Sequence, residues 1–382
     1  MPSRSPKGSQ KPATLADVGR AAGVSAMAAS AVLNGTKTSA RIAAETRERI
    51  EAAAARLHYR PNVAARALLS RRMNTLGVSV VVHDREFNHY FLELFNGIIE
   101  GAAHHEQTTT VFPLEDWDDA MPRLPTFCDG RIDGMILVGP VIAPENLRAL
   151  PAHTPFVSLH ANQPLDHTIN LETDELRGAR EMVEHFVALG HRDILHVSGP
   201  RGLVGVERRI EGWAEALRGA GLPVDPGRVL SANRFTSEGG FEVLSAWLKA
   251  NAGQSLPTAL FCANDAIAVG CMEALAALGL RVPDDLSLGG FDDTLAARTT
   301  VPQLTTVRQP LRAMGVRAVE ILLGRIEAAA ARYGGKEPDG LPLNEGAFDP
   351  VVFETELVVR ASSAPPRAAP RLIPPTPPLT LR

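Results

Sequence analysis

The sequence predicts a multi-domain protein in which a small all-α unit precedes a larger α/β unit built from two parallel sheets. Three observations carry this prediction. The first 60 residues show short, capped helical periods, and the chain from Thr75 onward alternates β-rich apolar runs with amphipathic helical stretches. Charge is also segregated: residues 1–72 hold 13 Lys and Arg against 4 Asp and Glu, whereas the rest of the chain holds 26 against 39. A basic small domain on an acidic larger one suits a protein whose N-terminal part alone sits on a polyanion.

At 382 residues, 45% hydrophobic and 21% charged, the chain can bury two or three cores. No apolar run reaches the roughly 18 residues of a membrane span, so no membrane partner is expected. The polar, basic stretch Met1–Pro12 has no apolar segment behind it, which predicts no secretory signal and a cytoplasmic location. Cys128, Cys262 and Cys271 are scattered without metal-ligand spacing and read as reduced core residues; neither metal nor cofactor is expected.

Residues 1–12 are too polar to order themselves and read as a flexible leader. Thr14, with Asp17 three residues on, forms an approximate capping box before Leu15, Val18 and Ala22, and this first helix ends at Gly23. Ser25 caps a second helix through Met27, Ala29 and Leu33, stopped by Asn34-Gly35. A third helix spans Ala44 to His58, with Thr46, Ile50, Ala53 and Leu57 on one stripe. Pro61 then interrupts, and two further turns from Asn62 to about Ser70 are too short to hold helix alone.

Strands are predicted at Leu76–Val82, Thr108–Phe112, Ile132–Val138, Phe156–Leu159, Ile194–Val197, Ala259–Cys262 and Leu286–Gly289, with about ten in all. Helices fall between them, at Glu93–His105, Leu176–Leu189, Val206–Ala220, Gly240–Asn251, Ala266–Leu278 and Leu311–Ile326. Such βα repeats predict parallel sheets covered by helices on both faces. A loop over Tyr333–Phe348 precedes a last strand near Val351–Val359. Seven prolines in the final 22 residues predict a disordered or extended tail.

The stretch Thr14-Leu-Ala-Asp-Val-Gly-Arg-Ala-Ala-Gly-Val-Ser25, followed by Val32-Leu33-Asn34-Gly35, Thr46-Arg47-Glu48-Arg49-Ile50 and Tyr59-Arg60-Pro61-Asn62, resembles the N-terminal domain of the LacI/GalR family. The resemblance implies a helix-turn-helix whose second helix, Ala26 to Leu33, enters the major groove of double-stranded operator DNA. It assigns DNA contact to Thr14, Ser25, Ala26, Met27, Ser30, Asn34 and Tyr59, with helix N-terminal amides at Thr14 and Ser25 offered to phosphates. The segment Asn62-Val-Ala-Ala65-Arg66-Ala-Leu68 looks like the family's hinge helix, in which Leu68 wedges into the minor groove while Arg66, Arg71 and Arg72 meet phosphates or the groove. Two features depart from the family. Ala26, Met27, Ala28 and Ala31 stand where polar or aromatic base readers are usual, and Ala43 replaces the expected polar cap of the third helix after a longer loop.

The resemblance continues through Asp133-Gly134, Leu189-Gly190-His191, Gly199-Pro200, Arg209-Ile-Glu-Gly212-Trp213, Asn264-Asp265, Val282-Pro283-Asp284-Asp285, Gly290-Phe291-Asp292-Asp293 and Leu304-Thr305-Thr306-Val307, which look like a periplasmic-binding-protein-like domain. That implies two subdomains closing over a small-molecule effector beyond the carboxyl ends of the strands. Arg209 and Asp292 match effector-gripping positions, Asn264 and Asp265 add polar contacts, and Tyr90, Phe91 and Phe235 match stacking positions. His160 stands where many relatives carry an acid, and Asp265 is equally a candidate cap of the helix from Ala266.

The chain thus reads as a leader (1–12), a DNA-binding domain (13–60), a hinge helix and linker (61–74), an effector-binding domain (75–360) and a Pro-rich disordered tail (361–382). Within the effector domain, the N-subdomain is expected at about 75–168 and 300–328, and the C-subdomain at about 169–299 and 349–360. No Gly-x-Ser-x-Gly elbow, phosphate loop, His-Glu-x-x-His helix or Cys-x-x-Cys pair is present, so no enzyme is expected. The expectation is a homodimeric transcription regulator, most simply a repressor, in which a sugar-like effector alters subdomain closure and thereby the hinge.

Overall fold

A computed structural model describes residues 13–34, 42–60, 72–82, 87–143, 146, 150–151, 153–162, 165, 168–334, 348–369 and 371–375. The leader, Asn62, Ala65, Arg66 and Leu68 of the hinge, and the last seven residues lie outside them. The chain divides into two compact units, 1–73 and 74–382.

In the first unit, α1 (Leu15–Ala22) begins with a full capping box: Thr14 Oγ1 accepts from Asp17 N, and the Asp17 carboxylate accepts from Thr14 N at 3.0 Å. Gly23, at φ +69°, ends α1 and turns the chain into α2 (Ala26–Asn34). Ser25 Oγ accepts from Ala28 N at 3.1 Å, closing the expected cap. α3 (Ala44–Arg56) has no side-chain cap at Ala43. The three helices meet on Val18, Ala22, Ala29, Ile50, Ala53 and Ala54; small residues at the crossings let so short a unit close.

The second unit holds two six-stranded sheets. The first runs β11-β5-β4-β3-β1-β2, from β1 (Thr75–Val81), β2 (Thr108–Leu114), β3 (Gly134–Val138), β4 (Phe156–Leu159), β5 (Ile169–Thr173) and β11 (Val351–Phe353), all parallel. The second runs β12-β10-β9-β8-β6-β7, from β6 (Ile194–Ser198), β7 (Val229–Ser231), β8 (Ala259–Cys262), β9 (Ser287–Asp292), β10 (Thr305–Arg308) and β12 (Glu356–Val358), with only β12 antiparallel. Fully buried central strands such as Met135–Val138 explain the near-continuous apolar runs in the sequence. Helices α4 (His89–His104) and α9 (Leu311–Gly334) cover the first sheet, while α5 (Glu175–Leu189), α6 (Val204–Gly219), α7 (Ser237–Ala250) and α8 (Asp265–Ala277) cover the second. α4 and α9 approach closely enough that a Cβ on Gly97 would lie 2.0 Å from the Arg312 carbonyl oxygen.

Three expectations are corrected. The subdomain boundaries move: β5 completes the first sheet because Leu171 packs in its core, whereas Ala179, Met182, Val183 and Phe186 of α5 belong to the core of the second, so the crossing falls at Asp174. By the same logic β10 belongs to the second sheet, and the chain crosses back between Arg308 and Leu311. The single last strand is two strands, one in each sheet, separated at Glu354-Thr355. Finally, the described residues 361–369 and 371–375 are not a disordered tail: Ser362 is fully buried and Ile373 enters the core of the second subdomain. Proline forbids helix and regular ladders, but the groups between prolines still pair, as in the Arg371 O bond to Leu256 N and the Ile373 bonds to Gly253 and Gln254.

Candidate effector cleft and DNA-reading helix

The candidate cleft is built from residues that follow the carboxyl ends of strands in both sheets. His160 follows β4, Thr173 ends β5, Asn264 comes two residues after β8, Asp292 ends β9 and Gln309 follows β10. Parallel strands deliver all these side chains to one rim, where two subdomains linked by three short crossings face each other. Tyr90 enters from the first turn of α4 and Arg209 from α6.

A chain of hydrogen bonds crosses this rim. Tyr90 Oη meets His160 Nδ1, and His160 Nε2 lies 3.3 Å from Thr173 Oγ1. Thr173 Oγ1 donates to Gln309 Oε1 at 2.6 Å, and Gln309 Nε2 donates to Asp292 Oδ1 at 2.6 Å. The chain therefore joins the first subdomain to the second. His160 and Asp292 are non-glycine residues held at φ +48° and +112°, a strain that packing must sustain. Burial lowers the His160 pKa to about 4, against the pull of Glu175, so the imidazole is neutral near pH 7. Burial raises that of Asp292 well above the carboxylate range, although Arg209 opposes it.

Arg209 is almost fully buried and already committed. Its guanidinium donates to Glu175 Oε1 at 2.8 Å and to the Ala263 carbonyl at 2.6 Å, and it lies 4.2 Å from the centroid of the Phe291 ring. Its Nε is buried with no hydrogen-bond partner, a donor available to a ligand oxygen. The neighbouring Arg208 pairs with Glu172 at 3.0 Å.

Four expected effector residues, Tyr90, His160, Arg209 and Asp292, converge. Phe235 stands over the end of β6, where a Cβ on Gly199 would come within 2.3 Å of its ring. Asn264 caps α8 by accepting from Ile267 N at 2.8 Å, and its Nδ2 donates to the Phe235 carbonyl. Two residues are withdrawn. Phe91 is in the core beneath the first sheet, packed against Phe87 and Phe95. Asp265 neither caps α8 nor stays open: it is fully buried and accepts from Thr294 N, Thr294 Oγ1 and Thr306 Oγ1. Sequence reasoning missed Glu172, Thr173, Glu175 and Gln309. Their only signal was position beside a strand end or crossing, and β5 itself had not been recognised.

In the N-terminal unit, Thr14 and Ser25 spend their hydroxyls on caps, and Ser30 Oγ accepts from Asn34 Nδ2 at 3.0 Å. Tyr59 is half-buried against the three-helix core. Ser25, Ala26 and Met27 are exposed at the start of α2.

Residues 14–62 match the family described as bacterial regulatory proteins, lacI family, and residues 183–363 match a periplasmic binding protein-like domain. The HTH-type transcriptional regulator DegA of Bacillus subtilis (strain 168) is 32% identical over 361 residues, which cover 92% of this chain and 98% of DegA. The chain belongs to the LacI family. Among solved structures, the lac repressor dimer bound to operator and the anti-inducer ONPF superimposes with a TM-score of 0.76 at 28% identity, covering 93% of this chain and all of that one. The transcriptional regulator CelR in complex with cellobiose gives 0.65 at 25% identity, covering 92% of this chain and all of its own. This LacI-family chain is therefore a DNA-binding transcription regulator with a helix-turn-helix and an effector-binding domain. Among the described residues, no helix is long and apolar enough to cross a membrane.

Proposed function

We propose that the protein is a homodimeric repressor of operator DNA, and no enzyme, whose effector is a neutral, polyhydroxylated molecule of the sugar class held between the two subdomains. One observation carries the ligand class: both cleft arginines are already matched by carboxylates, Arg209 by Glu175 and Arg208 by Glu172. An anionic ligand would find both guanidinium charges already balanced by carboxylates. A neutral sugar fits better, since its hydroxyls can pair with the Asp292 carboxyl, whose charged form burial disfavours, while its oxygens accept from Arg209 Nε. The lac repressor bound to operator and CelR bound to cellobiose support the same reading by analogy. A second copy of the chain is the natural cover for Leu92 and Ile99 on α4 and for Leu295 and Val301, which are exposed large apolar side chains. Thr14, Ser25, Ala26, Met27, Ser30, Asn34 and Tyr59 are proposed to face DNA, as are Asn62, Ala65, Arg66 and Leu68 of the hinge.

The test is thermal unfolding of the full chain against sugars, sugar phosphates, nucleosides and purines. A neutral sugar at about 100 times its Kd is expected to raise the melting temperature by about 5 °C. Stabilisation by phosphorylated ligands alone would contradict the reading.

A further inference from the structure

The exposed end of α2 is distinguished by the chemistry it lacks. Met27 is 78% exposed, beside the exposed Ala26, while Ala28, Ser30 and Ala31 are half-buried. Base pairs in the major groove are best told apart by side chains that make two hydrogen bonds at once, Arg or Lys to guanine and Asn or Gln to adenine. α2 has no Arg, Lys or Gln. Its single amide, Asn34, occupies the last position and donates to Ser30 Oγ. Ser25 and Ser30 each already accept one bond, so each keeps a single proton, which discriminates poorly among bases. What α2 presents outward is carbon and sulfur: the methyl groups of Ala26, Ala28 and Ala31 and the flexible thioether of Met27. The one feature of a base edge that matches such a surface is the C5-methyl group of thymine.

We propose that Met27 is the specificity-determining residue of the DNA-reading helix and that it selects thymine by contact with the C5-methyl group. This rests on the assignment of α2 to the major groove made above. Met27 contributes through apolar contact, so removing one methyl group from the DNA removes its preference while leaving every hydrogen-bonding group of the base pair in place.

The experiment selects bound duplexes from a random library with the full-length protein. Affinity for the selected site is then measured with each thymine replaced in turn by deoxyuridine, for the natural protein and for Met27→Ala. Demethylating a thymine read by Met27 is expected to weaken binding about four-fold, the factor corresponding to one buried methyl group. The same replacement is expected to cost nothing in Met27→Ala, which alters only an exposed helical position. Equal binding of thymine and deoxyuridine at every position, or a cost that persists in Met27→Ala, overturns the role of Met27 and leaves the DNA-reading assignment standing. A library from which no sequence is enriched overturns that assignment, and this proposal with it.

Discussion

Arg209 and His196 show how a buried polar side chain is settled by its neighbours. Arg209 is enclosed by Glu175, the Ala263 carbonyl and the Phe291 ring. His196 on β6 has a carbonyl and stacked aromatic rings beside it but no carboxylate. It is fully buried, its Nδ1–H donates to the Phe261 carbonyl at 2.9 Å, and its Nε2 has no partner. Burial lowers its pKa to about 3 despite the Phe261 bond. The unfolded chain takes up a proton below the ordinary value of 6.5 and the native chain does not, so the stabilisation is complete above that pH and is lost as the pH falls toward 3. His160 acts in the same direction. Asp265, raised to about 7 by burial, acts in the opposite one, since its native carboxyl keeps a proton that the unfolded chain has released above 3.8. Comparing the natural protein with His196→Phe cancels both. The stability difference between them is expected to shift against the natural protein by about 1.4 kcal/mol per pH unit on going from pH 6 to pH 4. A difference independent of pH in urea titrations would show that His196 is protonated in the fold.

Residues 360–369 and 371–373 form a strap that packs on the second subdomain. Arg360 pairs with Asp293 at 2.5 Å, and Ser362 Oγ donates to the Leu288 carbonyl at 2.6 Å. Farther on, Arg367 and Arg371 converge on the Asp285 carboxylate at 2.7 and 2.5 Å. Burial pushes the Asp285 pKa up, but the bonds from Arg371 and the Arg281 backbone outweigh it and hold the carboxyl below its ordinary range. The covering of Asp285 is largely the two guanidinium groups, themselves partly exposed, so the interaction is screened on one side. Ending the chain at Ala364 strips both arginines from Asp285 and removes Ile373 from its core site. The expected loss is about 3 kcal/mol, read as a lower urea midpoint. An unchanged midpoint would mean that the strap lies on the surface without contributing to the fold.

Across the whole molecule, the three crossings at Asp174, Gln309-Pro310 and Glu354-Thr355 give the two subdomains a narrow common hinge. Gln309 joins two of them directly by accepting from Thr173 and donating to Asp292. In the proposed function, a ligand that engages His160 or Asp292 would act on the hinge itself and so bias closure. The proposed two-fold pairing through α4 would use the same patch on both copies and close on itself. Analytical ultracentrifugation is expected to show a dimer; a tetramer at micromolar concentration would require a further interface.

The sequence by itself determined the three N-terminal helices with their caps, the alternation of strands and helices, and the segregation of charge. These follow from local chemistry: side-chain oxygens at Thr14 and Ser25, the left-handed Gly23, and buried parallel strands that must be apolar. It also brought Tyr90, His160, Arg209 and Asp292 into view through resemblance. Only the tertiary structure decided that Phe91 faces the core, that Asp265 serves Thr294 and Thr306, that Glu175 and Gln309 belong to the cleft, and that a proline-rich tail packs. Each of those outcomes depends on a partner far along the chain, 34 residues from Glu175 to Arg209 and 136 from Thr173 to Gln309. Local propensity carries no record of what a crossover will bring to the other side of a side chain.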